Sequence, residues 1–302
     1  MRHIYNIFDL YLFLFATLGA GNYAAIKFAM PELPIYVIGA IRFTISAVIL
    51  LVITYFYEGN LALPPKIRFK VFLLGAIGIF SYQLFFAKGL SITTSVNTAL
   101  MVAMSPIFTT IYGFLNKKQK VNRSIVIFIL IGFLGTILIS LGKTGGLSAS
   151  LKTVPGDLLV LTAAMFWAFY ALLSQEILKK ISVFKMTSYA MLTGGVLLCF
   201  IAAGDLSAVT WKELSLNAWL GLLYATLISA CLVFILWAVG ISGIGTYKAM
   251  IYMYLQPCVA LILGVLLLNE SISWYQLIGG TIIIYSIVKV RSEKSKTGFK
   301  EG

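Results

Sequence analysis

Residues 85–106 read FFAKGLSITTSVNTALMVAMSP, and residues 236–257 read LWAVGISGIGTYKAMIYMYLQP. Ala87, Gly89, Ser91 and Pro106 of the first stretch return as Ala238, Gly240, Ser242 and Pro257 of the second, all at an offset of 151. Each stretch joins the end of one apolar run to the start of the next. The correspondence continues outward, with Gly135-Thr136-Ile137 returning as Gly280-Thr281-Ile282 and Asp9-Leu10 as Asp157-Leu158. The chain therefore reads as two copies of one unit, 8–142 and 157–291. A glycine- and serine-rich linker, 143–156, joins them, and a basic tail, 292–302, follows.

Each copy holds five apolar runs, at 10–28, 35–56, 71–87, 93–115 and 124–142, then 157–175, 185–203, 217–239, 246–268 and 274–290. Such runs are long enough to cross a bilayer as helices, at roughly 20 residues each. Pro31, Pro34, Pro64-Pro65 and Pro155-Gly156 punctuate the gaps. The first run exceeds the apolar core of a signal peptide and carries Asn22 and Lys27, so it reads as a retained span. Of the 302 residues, 60% are hydrophobic and only 11% charged, too few charges to clothe a soluble domain. The predicted fold is all-α, a polytopic membrane protein of ten transmembrane helices. An odd number of spans per copy inserts the second copy upside down, the build of many secondary transporters.

The formal charge of +13 comes from 23 basic and 10 acidic residues. Sixteen of the basic residues fall on the side of the N-terminus; Lys88, Lys143, Lys152 and Lys212 fall opposite; Lys27, Arg42 and Lys248 lie inside runs. That imbalance predicts both termini in the cytoplasm and the chain in the cell inner (plasma) membrane, and accounts for the charge without a nucleic-acid partner. His3 is the sole histidine, and Cys199, Cys231 and Cys258 are scattered in apolar runs. No metal site, cofactor or catalytic set follows from these residues, and no phosphate-loop motif for ATP is present. An enzyme and an ATP-driven pump are both disfavoured.

The chain resembles the drug/metabolite transporter superfamily, in particular its EamA-type members, over about residues 8 to 291. The resemblance is carried by Gly21-Asn22-Tyr23-Ala24-Ala25-Ile26-Lys27-Phe28, Arg42-Phe43, Ser105-Pro106, Gln256-Pro257, Leu268-Asn269-Glu270-Ser271-Ile272 and Gly279-Gly280. The basic run Lys117-Lys118-Gln119-Lys120 departs from the pattern, as does Gly19, which stands where the second half has Trp167. The resemblance implies a carrier of small organic solutes, often an exporter of amino acids or related metabolites. Carriage of nucleotide sugars or lipid-linked solutes, and a non-transport membrane protein, are the alternatives.

Polar groups at membrane depth mark candidate substrate contacts. Asn22 is one. Arg42, some seven residues into its run, either lines a cavity or serves a helix–helix ion pair or carbonyl contacts. Lys27 can snorkel toward Glu32. Lys248, Tyr252 and Gln256 are spaced to share one helix face, and the repeat maps them onto Asn97, Met101 and Ser105. These stripes either face substrate or make interhelical hydrogen bonds, and Pro106 and Pro257 are expected to kink their helices near mid-span as gating points. Tyr170 belongs to an aromatic face with Phe166 and Trp167 that serves packing or the site. Substrate-binding candidates are thus Asn22, Arg42, Asn97, Tyr170, Lys248, Tyr252 and Gln256. No Asp or Glu lies at mid-depth, so the basic groups point to an anionic or amphiphilic solute. Runs five and ten, with Gly132, Gly135, Gly279 and Gly280, are expected at the periphery, against lipid or a second copy in a homodimer.

Overall fold

The computed structural model describes residues 2–115, 122–142, 152–268 and 272–293. They form ten helical rods, with no strand among the described residues. The rods are α1 (Arg2–Ala29), α2 (Ile35–Glu58), α3 (Pro65–Leu90), α4 (segments Ser95–Val102 and Ser105–Leu115) and α5 (Arg123–Leu141). Then come α6 (Val154–Ile177), α7 (Val183–Ala208), α8 (Leu216–Ile244), α9 (Thr246–Met250, a 3-10 turn Ile251–Tyr254, Leu255–Leu268) and α10 (Trp274–Ser292). Eight of them, α1 to α8, are each long and apolar enough to cross a membrane. Large apolar side chains such as Phe56, Phe200, Leu216 and Trp274 stand exposed on the outside of the bundle, as a lipid-facing surface requires.

Local chemistry sets the helix ends. Thr94, Asn122, Ser182, Ser215 and Ser273 each accept a backbone N–H with a side-chain oxygen at an N-terminus. Pro65 and Pro155 sit in first turns, where a missing N–H leaves nothing unpaired. Pro155-Gly156 is therefore not a gap between elements, as expected, but the opening turn of α6. Gly245 alone joins α8 to α9, and its φ of +79° is the conformation a side chain would strain.

The expected mid-span kinks take another form. α4 is interrupted at Ala103 and Met104, and α9 tightens into a 3-10 turn at Ile251–Tyr254. Both breaks precede the proline, which then occupies the first turn of the following segment. Sequence reading also missed two wide, π-helical stretches, Ala76–Ser81 in α3 and Tyr224–Leu232 in α8. Around the first of them the packing is tight enough that a Cβ on Gly78 would lie 2.2 Å from the Tyr170 ring.

The main pairings are α2 with α7, α5 with α10, α3 with α6 and α1 with α8. α5 and α10 lie against each other, backbone to backbone: a Cβ on Gly135 would meet the Gly279 carbonyl oxygen at 2.7 Å. Gly280 faces open space. Ion pairs Lys185–Glu58 (3.0 Å) and Lys70–Glu176 (3.1 Å) mark the end where α1 begins. At the opposite end Glu32 accepts from the Ser215 backbone N–H (2.7 Å) and hydroxyl (2.5 Å), which hold its carboxyl below the usual glutamate range. The side chain of Lys27, its expected partner, lies outside the described residues, as do 116–121, 143–151, 269–271 and the tail from 294.

Candidate functional site

A cavity of about 70 Å³ lies where the two halves meet. It is walled by α1, α2, α3 and α4 of the first half and α6, α8 and α9 of the second. Its aromatic surfaces are Phe15, Phe43, Tyr82, Phe86, Trp167 and Phe234, and its polar groups are Asn22, Arg42, Ser229 and Gln256. At roughly 30 Å³ per water, the space holds two or three waters. A larger solute enters only when the walls move.

Arg42 dominates the electrostatics. It is 5% exposed, and its Nη2 lies 3.4 Å from the Ser229 hydroxyl, a long contact for a charged donor. Its Nε has no hydrogen-bond partner, and its guanidinium sits 4.7 Å from the Phe43 ring centroid. No Asp or Glu is among the cavity-lining residues. A buried cation in such surroundings is costly unless an anion joins it. Asn22 supplies the complementary function, since its buried Oδ1 is an acceptor without a donor. Gln256 Nε2 would lie 3.1 Å from a Cβ on Gly19, so the missing side chain of Gly19 leaves room beside it.

The aromatic wall is continuous. Trp167 stacks on Tyr170 (5.2 Å) and Trp237 (5.8 Å), and its Nε1 donates to the Met253 sulfur at 3.2 Å. Tyr170, 1% exposed, thus backs the cavity rather than lining it. Its other side borders a second, largely apolar cavity of about 260 Å³ between α3, α4 and α6, which also touches Leu73, Tyr112 and Glu176.

The remaining candidates lie at the bundle ends. Lys248, Tyr252 and Gln256 do not form one stripe: the 3-10 turn advances about 20° more per residue than an α-helix, or about 80° over four residues. Gln256 reaches the cavity, whereas the Tyr252 hydroxyl donates to Asp9 (2.6 Å) and Lys248 Nζ to the Glu293 carbonyl (2.6 Å). Asn97 donates to both oxygens of Asp157 at 3.1 Å. Pro106 is buried just past the α4 break, and Pro257 follows Gln256. Asn22, Arg42 and Gln256 are therefore brought together; Asn97, Lys248 and Tyr252 are not. Ser229 and Phe234 were missed, hidden in the apolar run of α8 whose wide turns give no periodic signal.

Comparison with known proteins agrees with this architecture. Residues 6–141 and 154–291 each match the model of the EamA-like transporter family. An uncharacterized transporter of Bacillus subtilis, YyaM, is 28% identical over 251 residues, covering 82% of this chain and 81% of the relative. An uncharacterized transporter of Archaeoglobus fulgidus is 26% identical over 281 residues, covering 92% and 95%. A solved crystal structure superposes with a TM-score of 0.78 at 17% identity, over 94% of this chain and 96% of the other, which shows a shared fold. With both halves matched, the chain is a multi-pass membrane transporter, and it belongs to the EamA-like transporter family.

Proposed function

We propose that this transporter moves small amphiphilic solutes bearing a carboxylate, amino acids first among them, by alternating access around the central cavity. The observation that carries the reading is Arg42: a buried guanidinium in an aromatic cavity, with an unpartnered Nε and no carboxylate among its lining residues. A solute carboxylate supplies the missing counter-charge through charge-assisted bonds. The unpartnered Oδ1 of Asn22 suits an ammonium or other N–H donor on the same solute. The aromatic faces suit its apolar part. An acceptor and a cation in one small cavity are the complement of a zwitterion.

The same reading sets ten spans in the cytoplasmic membrane, the two halves inverted, both termini inside. Sixteen basic residues on the side of the termini against four opposite support it. Export is the direction of transport we assign, on the family resemblance. The test is transport in sealed vesicles loaded with a pooled metabolite mixture, read by mass spectrometry against vesicles from vector-only cells. Zwitterionic and carboxylate solutes should move and their amides and parent amines should not. Movement confined to cations or uncharged solutes would overturn the assignment.

A further inference from the structure

Two carboxylates at opposite ends of the bundle tie the halves together, and neither lines the cavity. Asp9, near the start of α1, accepts from the Tyr252 hydroxyl of α9 (2.6 Å) and from Arg291 Nη2 of α10 (2.6 Å), and Arg291 Nε lies 2.5 Å from its other oxygen in the ion pair. Beside this knot Lys248 Nζ holds the Glu293 carbonyl, and the Glu293 carboxylate accepts from Asn122 Nδ2 at 2.9 Å. Asp157, in the first turn of α6, accepts from Asn97 of α4 with both oxygens and from the Thr93 hydroxyl. Asp9 and Asp157 are equivalent positions of the two halves, 148 residues apart. Each knot thus fastens the first helix of one half to the fourth helix of the other. α1 with α9, and α6 with α4, are walls of the central cavity.

We propose that Asp9 and Asp157 are the latches of the two mouths of the pathway, broken one at a time in the transport cycle. An end of the cavity cannot open fully while its walls are fastened across the mouth, and both knots are formed in this structure. The latches are of unequal strength. Asp9 is held by a forked ion pair and a phenol, Asp157 by a neutral amide and a hydroxyl. Both carboxylates make charge-assisted bonds, but the Asp9 pair with Arg291 is bidentate and ionic on both sides, which adds to its strength, whereas Asp157 meets neutral donors. The Asp157 end therefore opens more readily, and the resting carrier faces away from the side of its termini. This rests on the transport reading above, in which the termini are cytoplasmic.

The experiment places one cysteine in the cavity wall, Val233→Cys, with Cys199, Cys231 and Cys258 replaced. Labelling by a membrane-impermeant thiol reagent is compared in right-side-out and inside-out vesicles. The parent should label faster from the outside. Arg291→Gln, and separately Asp9→Asn, should move the outside-to-inside ratio toward the inside by roughly tenfold, as loss of a charge-assisted contact predicts. Asn97→Ala, and separately Asp157→Asn, should move it further toward the outside. Thermal melting in detergent is read alongside, so that a variant which merely unfolds is recognised and its conservative partner takes its place. Ratios unmoved in folded variants, or moved in one direction by both sets, overturn the latches and leave the cavity as the pathway. No labelling from either face in any folded protein overturns the pathway and the latches with it.

Discussion

Removing the charge of Arg42 separates a binding role from a structural one. Arg42→Gln keeps a hydrogen-bonding side chain of lesser length in the cavity but leaves no cation. In the wild type the guanidinium is 5% exposed, its nearest hydroxyl is 3.4 Å away and its Nε bonds to nothing, so little protein structure depends on its charge. A buried ion without a partner opposes folding, and its neutral replacement is expected to leave the melting temperature unchanged or higher. Binding should behave in the opposite way. A hydrogen bond to a charged group contributes about 1.5–3 kcal/mol, which is about 10- to 100-fold in affinity. Arg42→Lys keeps the charge but loses the planar fork and should fall between. Trp167 stands in the cavity wall, so quenching of tryptophan fluorescence in detergent can follow binding directly, with uptake competition as the functional measure. Each variant is titrated with a transported carboxylate and with its amide. The carboxylate should lose affinity and the amide should not. Wild-type carboxylate affinity in a folded Arg42→Gln protein would refute the argument. A collapse of stability would show instead that the charge is satisfied within the fold.

Two further variants follow from the glycines. Gly19→Ala places a methyl group in the cavity, 3.1 Å from Gln256 Nε2, which is the free end of a flexible side chain. Ala favours a helix over Gly by about 1 kcal/mol, so melting should stay level or rise while transport falls. Gly135→Val acts on the α5–α10 seam, where even a Cβ would lie 2.7 Å from the Gly279 carbonyl and 2.8 Å from Ile283. Overpacking of this kind destabilises by about 1–3 kcal/mol, seen as a lowered melting temperature in detergent with solute selectivity unchanged.

Ten apolar runs were legible because bilayer thickness fixes their length, and the two halves because Pro106, Pro257 and their neighbouring glycines kept their spacing. Arg42 was legible as a group with no cheap reason to be buried. What misled was the assumption of uniform helical periodicity. Four residues of 3-10 winding turned Lys248 and Tyr252 away from Gln256, and nothing in Ile251–Tyr254 announces a tighter helix. The wide turns of α3 and α8 hid Ser229 in the same way. The end knots were beyond reach for a different reason. Asp9 meets partners 243 and 282 residues away, and pairing over such separations is decided by how the rods pack, not by any local pattern.

The repeat also bears on why the central cavity is asymmetric. A duplicated unit alone would give two equivalent half-sites facing each other. Here the halves keep the same residue at Asp9 and Asp157 and at Pro106 and Pro257, and differ at several positions around the cavity. Gly19 stands opposite the equivalent of Trp167, Asn22 opposite that of Tyr170, and Gln256 opposite that of Ser105. Trp167 and Tyr170 of the second half stack into the wall, and Ser105 of the first half turns its hydroxyl back to the Val102 carbonyl at 2.8 Å. In the first half, Gly19 leaves space and Asn22 leaves an acceptor open. Gly19 and Asn22 remove volume from the first-half side of the pseudo-symmetric interface, and Asn22 and Gln256 place amide groups there. The polar groups of the cavity therefore gather on α1, α2, α8 and the Gln256 turn of α9, which on the proposed reading gives a solute one orientation. On the proposed alternating-access reading, rocking of two similar halves would expose that one set of groups to either face without rebuilding it.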